Sequence, residues 1–275
     1  MKKTILLTGA TDGIGLETAK MLVADGHHVL LHGRNPTKLA DVAQTLAELN
    51  AEAIIETYIA DLSHLADVVA LADQVKVTHQ HLDAVINNAG VFNTSAVFTD
   101  DHLDVRFAVN TVAPYLLTLE LLPLLDANSR VVNLSSAAQA SVDIAALAGG
   151  ESIINNPMRD GDAYAQSKLA LTMLSRSQGS ALKGIGPMVV SVNPASMLGS
   201  KMVKDAFGVA GGDLKVGADI LYRAALSDEF ANAHGLYFDN DIGQFGEPHP
   251  DALNDALVVS VMKTLDDIVA RVKSA

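Results

Sequence analysis

The chain has 275 residues, 49% of them hydrophobic and 19% charged, which suits one globular domain and excludes a disordered polymer. Nineteen Lys and Arg against 32 Asp and Glu leave a net charge of −13, so phosphate backbones and anionic lipid are repelled and nucleic acid is not expected as a partner. There is no cysteine, which removes disulfides, thiolate chemistry and cysteine-bound metals. No uninterrupted stretch approaches the roughly 18 to 20 apolar residues of a membrane span. The short run from Thr4 to Thr8 is too brief for a secretory core. A soluble cytoplasmic protein, with no membrane partner, is the expectation.

Along the chain, short aliphatic runs alternate with longer helical patterns. Ile5–Thr8 reads as a buried strand, followed by a helix from about Ile14 to Asp25. Val29–Leu31 gives a second strand, and Pro36 sits in the first turn of a helix reaching Leu49. Ile54–Ile59 is a third strand, with a helix from about Leu65 to Lys76 behind it. Ala84–Ile86, Val131–Leu134 and Val189–Val192 supply three more. A helix is expected from Ala163 to about Lys183, with Asp162 as its N-cap and Gly184 as its stop. Apolar strands separated by helices define βαβ units and a parallel sheet with helices on both faces. The fold class is therefore α/β, a doubly wound parallel sheet in a single domain. A C-terminal helical extension is expected over about 250–273.

In such folds ligands bind beyond the carboxyl ends of the strands. After the first strand stand Thr8, Gly9, Ala10, Thr11, Asp12, Gly13, Ile14 and Gly15, a Gly-x-x-x-Gly-x-Gly turn suited to close approach of a pyrophosphate at a helix N-terminus. After the second come His32, Gly33 and Arg34, with no carboxylate to hold a free ribose hydroxyl and an arginine suited to a 2′-phosphate. Asp61-Leu62 follows the third strand and Asn87-Asn88-Ala89-Gly90 the fourth. Ser135-Ser136 follows the fifth. Tyr164 and Lys168 lie four apart on one helix face, so an ammonium is placed to stabilise a phenolate and lower its pKa.

In this order, from Thr8 through Asp239, these residues resemble the short-chain dehydrogenase/reductase family. The turn matches its Thr-Gly-x-x-x-Gly-x-Gly, and Tyr164-Ala165-Gln166-Ser167-Lys168 its Tyr-x-x-x-Lys. The 28-residue separation of Ser136 and Tyr164, together with Gly235-Leu236-Tyr237-Phe238, is similar to the retinol dehydrogenase and protochlorophyllide reductase branch. One departure is Ala195 after Pro194, where the family usually has glycine. The resemblance implies a Rossmann fold and reversible hydride transfer between a nicotinamide and a small-molecule carbonyl or secondary alcohol. It implies Asn110, Ser136, Tyr164 and Lys168 as the catalytic set, with Tyr164 as acid/base and Asn110 holding a relay water. It implies Gly9, Thr11, Asp12, Gly13, Ile14, Gly15, Arg34, Asp61, Leu62, Asn87, Ala89, Gly90, Tyr164, Lys168 and Pro194 as cofactor contacts.

NADP is expected over NAD, with Arg34 as its cation and Asp12 as an opposing charge. Substrate should meet the insertion between Ser141 and Asp162 and a loop over about 195–215. Homodimers or homotetramers are expected, drawing on Leu169, Leu171, Met173 and Leu174. No metal is expected among the nine histidines. A catalytically silent NADP-binding redox sensor on the same fold is the alternative, and an epimerase or dehydratase a third.

Overall fold

The computed structural model describes residues 1–274. It begins with β1 (Thr4–Leu7), α1 (Gly13–Ala24), β2 (His28–Gly33), α2 (Pro36–Ala47), β3 (Ile54–Ile59), α3 (Leu65–Thr78) and β4 (Ala84–Asn87). A broken helix follows: α4 (Val105–Phe107), a π turn over Ala108–Val112, and α5 (Ala113–Leu121). Then come β5 (Arg130–Leu134), α6 (Ile144–Ala148), α7 (Glu151–Ile154), α8 (Asp160–Leu182) and β6 (Met188–Asn193). The chain closes with α9 (Lys201–Phe207), α10 (Leu214–Leu226), β7 (Tyr237–Asp239), β8 (Gln244–Gly246) and α11 (Asp255–Ser274).

All eight strands form one sheet in the order β3-β2-β1-β4-β5-β6-β7-β8, parallel except for the final antiparallel pair. Strand alternation splits the core into two layers. Leu6, Leu30 and Val85 pack toward α3, α5 and α8, whereas Ile5, Leu7, Val29 and Leu31 pack toward α1 and α10. The central strands are buried on both faces, which is why they read as unbroken aliphatic runs. The order reverses between β1 and β4, and there the C-terminal strand ends open a crevice.

Several details differ from the sequence expectation. Asp162 is not the N-cap of α8: the helix starts at Asp160 with Arg159 at the cap, and Asp162 instead accepts from Arg159 Nε at 2.7 Å. The segment Val105–Leu124 is apolar and long enough to cross a membrane, but 78% of its window is buried inside the protein. Leu169, Leu171, Met173 and Leu174 are all within 1% of complete burial in the core of this chain, so none is left to build a subunit interface.

Candidate active site

The Gly-rich turn is shaped by contacts that only glycine permits. Gly9 adopts φ +66°, and a Cβ there would lie 2.9 Å from Ala89 Cα. At Gly15 a Cβ would lie 2.2 Å from Gly9 O, so the first turn of α1 closes directly on the loop. Two side chains not assigned to the site from the sequence fix this loop. Asn88 Nδ2 donates to Thr8 O at 2.8 Å and to Gly9 O at 3.1 Å, while Thr8 Oγ1 accepts from the backbone of Asn88 and Ala89. Buried His32 accepts from Gly9 N through Nδ1 at 3.2 Å and donates from Nε2 to Ala60 O at 3.0 Å. Those partners select the neutral Nε2–H tautomer, and burial lowers the imidazole pKa in the same direction.

Asn87 is a correction. Its side chain turns away from the crevice and donates to Asn133 Oδ1 at 2.8 Å, because adjacent strand residues face opposite sides of the sheet. Asn88, Ala89 and Gly90 line the crevice instead.

Asp12 caps α1 by accepting from Gly13 N at 2.8 Å, and its other oxygen accepts from Lys38 Nζ at 2.8 Å. The Lys38 bond holds the Asp12 carboxyl below its ordinary range, against burial. Asn35 positions this lysine by capping α2 through Lys38 N. Arg34 lines the crevice at the end of β2. Burial works to raise the pKa of Asp61, but bonds from Ser63 N and Oγ and the charge of Arg34 hold it low. Thr11, Gly13, Ile14 and Leu62 complete this half of the crevice, with Lys201 on the opposite bank.

The other half gathers Ser136, Tyr164, Lys168 and Pro194. Lys168 is nearly fully buried, donates from Nζ to Leu134 O at 2.7 Å, and stands 5.6 Å from the Tyr164 ring centre. The Phe92 ring packs against Tyr164 at 4.8 Å between centres. Burial raises the Tyr164 pKa, opposed by a hydrogen bond with the Ser136 hydroxyl, and burial pulls Lys168 down to about 7. Desolvation governs both groups, and Ser136 supplies the opposing pull. Ser135 is structural, its hydroxyl lying 2.7 Å from Thr172 Oγ1.

Asn110 lies behind the crevice wall in the π turn. Its Oδ1 accepts from Val91 N at 2.8 Å, and its Nδ2 donates to Val91 O at 3.0 Å and Ser167 Oγ at 2.9 Å. A Cβ on Gly90 would sit between Asn110 Oδ1, 3.3 Å away, and Lys168 Nζ, 3.6 Å away. Asn110 therefore ties Val91, which lines the crevice, to Ser167 of α8, from within a π turn of the kind that recurs at functional sites.

The crevice measures about 710 Å³. Apolar side chains of Val91, Phe92, Met197, Leu198, Met202 and Val203 also line it, with Phe92 against Tyr164. The loop over 195–215 is tied at its base by Gly199 N to Gly212 O and Gly212 N to Met197 O, both at 2.8 Å. Of the insertion between Ser141 and Asp162, Gly161 comes beside this lining, where a Cβ would lie 4.0 Å from Phe92 Cζ. Ser141, Val142 and Ile144 line a separate cavity of about 310 Å³ with Met173 and Val261, because Asp143 caps α6 and turns it toward α11. Ala195 has φ +101°, the geometry that the usual glycine would carry without strain.

Parallel sheet, Gly-rich turn and Ser–Tyr–Lys cluster together define a nicotinamide-dependent oxidoreductase of the Rossmann type. The model of the short chain dehydrogenase family matches residues 3–208, and the chain belongs to that family. It is 28% identical over 255 residues to retinol dehydrogenase 13 of Homo sapiens, covering 86% of this chain and 76% of the relative. It is 34% identical over 197 residues to an oxidoreductase of Emericella nidulans, covering 69% and 68%. Among solved structures, it matches an Escherichia coli protein described as a short chain dehydrogenase complexed with NADPH, with TM-score 0.67, 28% identity and coverage of 86% and 96%.

Proposed function

We propose that the protein transfers hydride between NADP and a carbonyl or secondary alcohol on an apolar small molecule, with Tyr164 as the acid/base. The observation that carries this reading is the convergence of Ser136, Tyr164 and Lys168 at one end of a crevice whose other end is the Gly-rich turn. A dinucleotide fits these residues. The turn leaves no Cβ between the loop and its ligand side, with Gly13 at φ +54°, and Arg34, Lys38 and Lys201 offer cations for a 2′-phosphate.

When bound, the nicotinamide gives or takes the hydride. The chain's own residues manage the oxygen. The Ser136 hydroxyl, already bonded to the phenol, donates to an oxygen placed between them and stabilises its growing charge. Tyr164 passes its proton to that oxygen in reduction and recovers it in oxidation. Lys168 sits close enough to place charge beside a phenolate, and its pKa of about 7 lets it take or release a proton near neutrality. Phe92, Met197 and Met202 give the crevice apolar surface for an apolar substrate.

Tyr164→Phe tests the assignment. Turnover of NADPH with a carbonyl panel should fall at least 100-fold while NADPH still binds, within the range typical of a lost acid/base. Turnover within twofold of the parent overturns it.

A further inference from the structure

On the α3 side of the sheet, three side chains from three elements converge outside the crevice. His28 opens β2, Glu56 stands within β3, and His79 follows the last turn of α3. The register pairs His28 with Ile54 and Leu30 with Glu56, so His28 and Glu56 project from the same face. His28 Nε2 lies 2.7 Å from Glu56 Oε1, and His79 Nε2 lies 3.1 Å from Glu56 Oε2. All three donor atoms fall within 4.8 Å of one another. The Tyr58 hydroxyl donates to Glu56 Oε2 at 2.8 Å and lies 3.2 Å from His79 Nε2. Side-chain exposures of 15%, 33% and 9% for His28, Glu56 and His79 leave the cluster sheltered but open to solvent on the Glu56 side.

We propose that His28, Glu56 and His79 form a site for a zinc-type divalent transition cation, with Tyr58 orienting the carboxylate. Two imidazole nitrogens and one carboxylate are a donor set that zinc takes, leaving a fourth position for water. Bonds of about 2.0 to 2.2 Å in a tetrahedron put neighbouring donors about 3.4 Å apart. The 2.7 and 3.1 Å contacts to Glu56 are somewhat shorter than that, so small side-chain rotations that open them admit one ion. Calcium and magnesium are disfavoured, since they require six or more oxygen ligands or near-octahedral oxygen geometry. The Tyr58 hydrogen bond is the outer-shell support that ligating carboxylates characteristically have. Because the three residues belong to β2, β3 and the end of α3, a bound ion pins that helix to the sheet edge. The site takes no part in hydride transfer.

The test uses untagged, full-length protein treated with EDTA and then freed of chelator. Cobalt(II) is titrated while visible absorption is followed, and Zn²⁺ is then added as competitor. One equivalent per chain, with the intense visible bands of a four- or five-coordinate ion displaced by Zn²⁺, is the expected result. Glu56→Gln, which keeps the side-chain size, and His79→Ala should each lose the bands. Zn²⁺ should raise the melting temperature of the parent and leave that of both variants unchanged. Absence of stoichiometric binding overturns the proposal, leaving a hydrogen-bonded network only. Equal binding by a folded Glu56→Gln overturns it also. Circular dichroism establishes that this variant is folded, so the test does not depend on His79→Ala.

Discussion

Lys38 Nζ lies 2.8 Å from Asp12 Oδ2, and this contact changes the electrostatics of the Gly-rich turn. From the sequence, Asp12 is a lone negative charge facing the adenosine end of the crevice. In the fold its charge is matched by Lys38, with Arg34 alongside. Lys38→Ala should therefore weaken NADP twice over, by removing a cation and by exposing the Asp12 carboxylate. We expect each of Lys38→Ala and Arg34→Ala to cut the NADP-to-NAD affinity ratio about tenfold, the equivalent of roughly 1.4 kcal/mol. Titration of both cofactors at fixed salt checks this, and an unchanged ratio in both variants counts against it. Added salt should weaken NADP more than NAD, since these cations are solvent-exposed.

Lys168 is held at about 7 by burial, against 10.5 for a free lysine. Between those values the unfolded chain binds a proton that the folded chain has released, so stability rises with pH across that window. Below pH 7 both states are protonated and the full cost of burying the charge is present. Lys168→Met removes that cost but leaves Leu134 O without its partner. The variant should be inactive yet more stable than the parent by about 1–3 kcal/mol at pH 7, with the gap narrowing toward pH 10. Urea unfolding at several pH values decides it. A gap that widens with pH would have the wrong sign.

Ala195 holds φ +101° in the crevice wall, a conformation that costs an L-residue about 1–3 kcal/mol. Glycine removes that strain and gives back about 0.5–1 kcal/mol in unfolded-chain entropy. Ala195→Gly should therefore be stabilising by about 1 kcal/mol, visible as a higher melting temperature. A lower one would mean the strain is compensated locally.

Arg106 is fully buried and bonds Asp104 through Nε at 2.8 Å and Nη2 at 2.6 Å, with Nη1 reaching Asp160 at the start of α8. Arg106→Leu leaves the Asp104 carboxylate buried and unpaired, and should cost about 3–5 kcal/mol. Replacing Asp104 by leucine as well should recover most of the loss. Denaturant midpoints of the two variants separate a needed charge pair from a merely filled volume.

The five central strands were legible because both of their faces are buried, so aliphatic residues run without alternation. β7 and β8 were not, each being three residues long with no pattern to repeat. Tyr164, Lys168 and Ser136 were legible from local spacing and order. Asn88, His32 and Lys38 were not, because each acts on a partner from another strand or turn, such as Gly9 or Asp12. Asn87 was misassigned because adjacent asparagines differ only in which face of the strand they take. His28, Glu56 and His79 lie 28 and 23 residues apart, so no spacing rule joins them. The π turn at Asn110 has no sequence signature at all.

Helix α8 carries the phenol and ammonium on one side and a packed stretch of the core on the other. Insertions and deletions should therefore be tolerated very unevenly along the chain. The 27 residues between Ser136 and Tyr164 include two short helices and line part of a separate cavity, so their number is loosely constrained. One residue added inside α8 before Leu169 is another matter. It would rotate everything on one side of it by about 100° relative to the other. Such a change either parts Tyr164 from Lys168 or swings both out of the crevice, while Leu169 and Leu171 hold their places. Length polymorphism among relatives should collect before Asp160 and stop there.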